Sequence, residues 1–158
     1  MRSLLQLMLL SILSISSVQA ELLDFKPDSL PSLVERHAGE HFLLFVWSID
    51  CPACKNDLAN LSKLKQEVPN NRIILLNSDG ELSSEKVAQA IAEFGLQDLE
   101  NWKFADSATA RLRYKLDQNW AGELPRSYFY AADGSRRAFS GSLDADRLKA
   151  WLLREQQR

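Results

Sequence analysis

Two short apolar runs, Phe42 to Trp47 and Arg72 to Asn77, bracket a stretch of helical periodicity, and this arrangement constrains the fold more than any other feature. Phe42-Leu43-Leu44-Phe45-Val46-Trp47 shows no polar alternation, the pattern of a strand covered on both faces. A helix is predicted from Pro52 to about Glu67, broken by Pro69-Asn70-Asn71, and Ile73-Ile74-Leu75-Leu76 then reads as a second buried strand. Strand, helix and strand in this order make a βαβ unit with a right-handed crossover.

The only two cysteines of the chain, Cys51 and Cys54, fall at the junction between the first strand and its helix, as Cys51-Pro52-Ala53-Cys54. A pair spaced this way can close into a disulfide and reopen. Disulfide exchange requires a thiolate, and the unpaired N–H groups and dipole of a helix N-terminus favour one at Cys51. A structural zinc site would need four ligands, and the chain has no second cysteine pair. Lys55 stands where a covalent haem motif needs histidine, which excludes haem attachment through this pair.

The remaining elements follow from capping and turn chemistry. Ser29 to His37 reads as a short first helix with Asp28 as its cap, ended by a turn at Gly39. Ser83-Ser84-Glu85 starts a helix with Val87, Ala88, Ile91, Ala92 and Phe94 on one face and Gly95 at its end. Trp102 to Ala105 reads as a short strand, and Ser107 as the cap of a helix through Tyr114. Ser127 to Ala131, the turn Asp133-Gly134 and Arg136 to Ser140 form a hairpin, after which Asp144 opens a last helix with Leu148, Trp151 and Leu152 inward. No repeat or linker divides the chain, so residues 21–158 are expected to form one domain.

Residues 1–20 read as a secretory signal: Arg2, an apolar stretch from Leu4 to Ile15, and a cleavage site at Val18-Gln19-Ala20. About twelve apolar residues fall short of the roughly twenty of a spanning helix. A periplasmic or otherwise exported protein is expected, tethered to the membrane if the leader stays uncleaved. Removing Arg2 with the leader leaves 18 basic against 21 acidic residues. No basic stripe interleaved with aromatics occurs, which argues against a nucleic-acid partner.

On these residues the chain resembles the thioredoxin superfamily and, within it, the TlpA-like exported thiol–disulfide oxidoreductases that include cytochrome c maturation reductases. The resemblance spans nearly all of Glu21 to Arg158. It rests on Phe45-Val46-Trp47, Cys51-Pro52-Ala53-Cys54-Lys55, Leu124-Pro125 before the hairpin, and Asp133-Gly134 in its turn. It implies a thioredoxin-like α/β fold, a central mixed sheet flanked by helices, with an αβ insertion between the βαβ half and the C-terminal ββα half. It also implies that Cys51 attacks, that Cys54 resolves the mixed disulfide, and that Pro125 is a cis proline facing them. No cofactor beyond the Cys51–Cys54 disulfide is implied. The expected partners are protein disulfides as substrates and a membrane thiol carrier as reductant, with the chain acting as a monomer.

Two acids bear on the direction of electron flow. Asp57 follows Cys54 by three residues, where the TlpA-like pattern has a glutamate, and is a candidate for proton transfer; a solvated helix residue is the alternative. Asp50 stands where the family usually has tryptophan, and with Pro52 and Ala53 it would tune the redox couple. At about 6 Å its repulsion of a Cys51 thiolate is roughly 0.7 kcal/mol in water and about 2.8 at an effective dielectric of 20. The helix dipole offers about 0.3–1 kcal/mol. A less stable thiolate makes the couple more reducing, by about 30 mV for 1.4 kcal/mol.

Leu124, Trp47 and Trp120 are candidate walls of a substrate groove beside Pro125, with core packing as the alternative for both tryptophans. The leading expectation is a protein-disulfide reductase. An oxidase or isomerase is the alternative within the class, and a Cu(I)-binding module the alternative outside it, since two thiolates bind Cu(I) well. His37 and His41 flank Gly39, a spacing that suits a metal only if a helix runs through the glycine.

Overall fold

The computed structural model describes residues 21–68 and 71–155, so the leader expected over residues 1–20 lies outside the described residues. The elements are β1 (Leu22–Phe25), α1 (Ser29–Arg36), β2 (Phe42–Trp47), α2 (Pro52–Glu67), β3 (Ile73–Asn77), α3 (Ser84–Glu93), β4 (Glu100–Phe104), α4 (Thr109–Leu116), β5 (Arg126–Tyr130), β6 (Arg136–Ser140) and α5 (Ala145–Glu155). They form a six-stranded sheet in the order β1-β4-β3-β2-β5-β6. β1, β4, β3 and β2 run parallel, while β5 pairs antiparallel with both β2 and β6. The α3–β4 unit is the expected αβ insertion, and it wedges β4 between β3 and β1.

The unbroken apolar pattern of β2 has its cause in two-sided burial. Leu43, Phe45 and Trp47 point into one core with α2, α3 and α5 residues, including Leu58, Leu61, Ile91 and Leu148. Phe42, Leu44 and Val46 point into the other, with Leu33 of α1 and Leu112 and Leu116 of α4. All six are at most 1% exposed. β3 divides in the same way, Ile73 and Leu75 to one side and Ile74 and Leu76 to the other.

The structure departs from the sequence reading at several ends. β1 has no counterpart among the expected elements, because four residues at a sheet edge carry too little periodicity; its partner is the inserted β4. Asp28 makes no side-chain cap to α1; the Ser29 hydroxyl instead accepts the Lys26 N–H at 2.9 Å. Ser107 does not cap α4, since the Asp106 carboxylate takes the Ala108 N–H at 2.8 Å and the helix begins at Thr109. Ala92 is exposed, although its spacing put it with Val87 and Ile91. Asp144 does cap α5, accepting the Arg147 N–H at 2.8 Å.

Truncating a central β2 side chain tests this double-sided packing. Leu44→Ala should cost about 2–5 kcal/mol in urea unfolding, with the spread set by how far the site collapses. An unchanged midpoint would contradict a fully packed second core.

Candidate functional site

The site is assembled where β2 ends. Its turn, Ser48 to Asp50, delivers Cys51 to the first position outside α2, with φ −98° and ψ 103°. Pro52 occupies the first helical turn, where its missing N–H would be unpaired in any case and its fixed φ suits the helix. The Cys51 sulfur accepts the Cys54 N–H at 3.1 Å, so this sulfur is itself the helix cap. The two cysteines form a disulfide across 5.2 Å between their Cα atoms. Cys54 is fully buried, whereas Cys51 is half-buried, so a partner sulfur reaches Cys51 first.

Asp57 lies one turn further along α2 on the same buried stripe as Cys54, Leu58 and Leu61. It is 2% exposed, which removes the alternative of a solvated helix residue. Burial raises its pKa, against the lowering effect of the Leu143 N–H, which donates to its carboxylate at 2.9 Å. A buried carboxyl with an elevated pKa, one helical turn from a buried thiol, is suited to take and return a proton. Asp50, by contrast, is exposed, which puts its effect on Cys51 near the water value of roughly 0.7 kcal/mol rather than the larger one. Pro52 is exposed beside it and Ala53 half-buried.

The second wall comes from β5. The register Val46↔Arg126 sets Pro125 across from Trp47, at the end of β2 that bears the cysteine turn. The Leu124–Pro125 peptide is cis, and Pro125 is buried. Leu124 is half-buried between the two cores. Trp47 is 1% exposed and Trp120 5%, and the Trp120 indole N–H donates to the Glu123 carbonyl at 2.8 Å. Trp120 therefore braces the loop that leads to Pro125 from below.

Two further groups shape the site and were not singled out from sequence. Asp79, just beyond β3, accepts the Ile49 N–H at 2.8 Å and the Asn77 side-chain amide at 2.9 Å, while its own N–H donates to Asn77 Oδ1 at 3.0 Å. It thereby fixes the turn ahead of Cys51 from a neighbouring strand. On the proline side, Arg126 donates to Asp117 at 2.7 Å and to the Ser140 hydroxyl at 2.6 Å, and Tyr128 donates to Asp117 at 3.2 Å. Burial opposes the Asp117 charge, but Arg126, the Asn119 N–H, Tyr128 and Arg136 outweigh it and hold the carboxyl below its ordinary range. Asp79 and Asp117 each follow a strand or helix end, a position common to many turn acids, so spacing alone carried no signal for them.

The two histidines are remote. His37 and His41 precede β2 and Cys51 follows it, so six extended residues, about 20 Å, separate them. The Glu100 carboxylate accepts from His37 Nε2 at 2.9 Å, and the His37 ring packs at a 42° tilt against Phe42 with centroids 5.0 Å apart. Among the described residues no three of His, Cys, Asp and Glu converge as a metal site.

No protein-family model and no curated protein matches the chain. Several solved structures do. A secreted Mycobacterium tuberculosis disulfide oxidoreductase is 18% identical, with a TM-score of 0.62 over 76% of this chain and 85% of that one. A secreted thiol-disulfide isomerase from Corynebacterium glutamicum is 15% identical, with a TM-score of 0.64 over 79% and 75%. StoA from Bacillus subtilis is 20% identical, with a TM-score of 0.57 over 72% and 83%. These likenesses establish a thioredoxin fold, as the sequence resemblance implied.

Two substitutions probe the acids. Because the folded pKa of Asp57 is raised above its ordinary 3.8, the unfolded chain ionises first as pH climbs; the contribution to stability is full below that value and is lost as pH rises through the folded pKa. Asp57→Asn, which keeps an acceptor for Leu143, should be more stable than the wild type at pH 7 in urea titrations, with the gap closing at about pH 3. Asp79→Ala should cost about 1–3 kcal/mol and slow Cys51 alkylation or shift its pH profile, whereas Asp79→Asn should restore both. Identical Ala and Asn behaviour would remove Asp79 from the positioning of the turn.

Proposed function

We propose that the chain is an exported thiol–disulfide oxidoreductase that reduces protein disulfides. The observation that carries this reading is the asymmetry of the pair: a half-buried Cys51 at a helix N-terminus, bonded to a fully buried Cys54 with the buried Asp57 carboxyl one turn away. In the reduced protein the Cys51 thiolate attacks a substrate disulfide, forming a mixed disulfide and releasing one substrate thiolate. Cys54 gives its proton to the Asp57 carboxylate and attacks the Cys51 sulfur. The second substrate thiolate leaves, the protein carries the Cys51–Cys54 disulfide, and two electrons have passed to the substrate.

Pro125 borders the place where the substrate sulfur must sit, and Leu124 supplies an apolar contact beside it. The backbone there can pair with an extended peptide as an added strand. A negative charge on Asp57 within the buried stripe disfavours thiolate in the dithiol form, which supports the reducing direction; exposed Asp50 adds about 15 mV at the water value of its repulsion. A membrane thiol carrier would restore the dithiol by docking on the same face, and the chain would act as a monomer. Export rests on the leader and is in keeping with the secreted Mycobacterium and Corynebacterium proteins. No helix among the described residues is long and apolar enough to cross a membrane. Cytochrome c maturation is the role suggested by the TlpA-like resemblance. Copper carriage is disfavoured by the separation of about 20 Å between the cysteines and either histidine.

Equilibration with glutathione tests the direction. The couple should lie below about −220 mV, and a value near −120 mV, as in the strongest periplasmic oxidants, would replace the reductase with an oxidase. In parallel, Cys51→Ser should abolish insulin reduction, while Cys54→Ala should accumulate mixed disulfides at Cys51. With both cysteines present, Asp57→Asn should slow resolution of the Cys51 mixed disulfide by about 10²-fold.

A further inference from the structure

The hairpin face turned towards α5 is only partly covered. α5 crosses β5, where Trp151 meets Phe129 edge-on with ring centroids 5.0 Å apart, and Leu148 and Leu152 reach the core. β6 lies beyond as the edge of the sheet. Its residues Arg137 and Phe139 oppose Phe129 and Ser127 in the register and so share their face. Both remain exposed, Phe139 to 48%. With Leu143 and Leu148 they line an open groove of about 420 Å³.

The charged side chains on this groove are two arginines and one acid, Asp144. Arg137 and Arg147 line it, and neither guanidinium has a hydrogen bond or ion pair among the described residues. The adjacent Arg136 points to the other face and is committed, donating to the Leu116 carbonyl at 3.0 Å and lying 3.7 Å from Asp117. The acid on the groove, Asp144, already accepts the Arg147 backbone N–H. Two guanidinium groups without an ion pair beside an exposed aromatic floor match carboxylates flanking an apolar anchor.

We propose that this groove docks an acidic segment of a protein partner, with carboxylates on Arg137 and Arg147 and an aromatic or branched aliphatic side chain against Phe129, Phe139 and Trp151. The groove is tied to the thiol site through the backbone that lines it. The strap between β6 and α5 donates the Gly141 N–H to the Pro125 carbonyl at 2.9 Å and the Leu143 N–H to Asp57 at 2.9 Å. The groove's use for substrates rests on the oxidoreductase reading, whereas the binding itself does not.

The test uses the full chain, oxidised, and a fluorescein-labelled Gly-Glu-Glu-Phe-Glu-Leu-Gly peptide, with its Lys-for-Glu counterpart as control. By anisotropy the acidic peptide should bind at least about 10-fold tighter than the basic one. Arg137→Glu combined with Arg147→Glu should erase that preference, and raising salt from about 0.05 to about 0.5 M should weaken it. Circular dichroism checks that the variant is folded. In a second arm, fusing the acidic segment to a disulfide-bearing peptide should lower KM for its reduction in the wild type and not in the double variant, with kcat for the unfused peptide equal in both. Equal affinity for the two probes, binding indifferent to the charge reversal, or a concentration-dependent dimer that buries Phe139 in place of the peptide would overturn the proposal. Selective binding without any disulfide reduction would uphold the groove and sink the reductase reading instead.

Discussion

The structure depends on β2 being buried from both sides. Its alternate residues anchor two separate cores, one beneath α2, α3 and α5 and the other beneath α1 and α4. At roughly 25 cal/mol per Å² of apolar surface removed from water, its six fully buried large side chains make this strand a main source of cohesion. Rigid at its middle, the strand can hold a reactive turn at its end. The turn is then held on one side by a hydrogen bond, the Ile49 N–H to Asp79 beyond β3, and bordered on the other by the cis proline just before β5, across from Trp47.

Burial also separates the roles of chemically similar groups. Cys51 and Cys54 differ in little but depth, yet depth decides which sulfur an incoming partner can reach. Asp50 and Asp57 are both carboxylates near the pair. The exposed one is screened by water, while the buried one is shifted towards its neutral form and is suited to proton exchange. A third acid, Asp117, is buried as well, but three hydrogen bonds and a second arginine keep it ionised. Its work is structural: it ties Arg126 and Tyr128 of β5 to the end of α4, on either side of the loop that carries Pro125.

The same strap that closes the thiol site also opens the surface beside it. Residues between β6 and α5 bind Pro125 through Gly141 and Asp57 through Leu143, then turn into α5. Because α5 must cover Phe129 to complete the core, it cannot also cover β6, and Phe139 and Arg137 are left in solvent. An edge strand that carries arginines is poorly disposed to pair with another copy, since like charges would meet, and well disposed to meet acids.

The sequence by itself determined the βαβ frame, the hairpin and the place of the cysteine pair, because two-sided burial, helix breaks and turn residues write themselves into local pattern. The resemblance to the TlpA-like pattern also pointed to Asp57, but not to its burial, which left a solvated helix residue as the alternative until the structure placed it beside Cys54, Leu58 and Leu61. β1, the caps of α1 and α4, and the exposure of Ala92 escaped that pattern, since a four-residue edge strand and a helix end depend on neighbours distant in the chain. Tertiary structure alone decided that Asp79 holds the turn before Cys51, that Trp120 supports the proline loop from the core, that Asp50 is screened, and that Arg137 and Arg147 meet over one groove. Each of these rests on contacts or solvent access across elements far apart in sequence, and local periodicity carries no information about a partner thirty or eighty residues away.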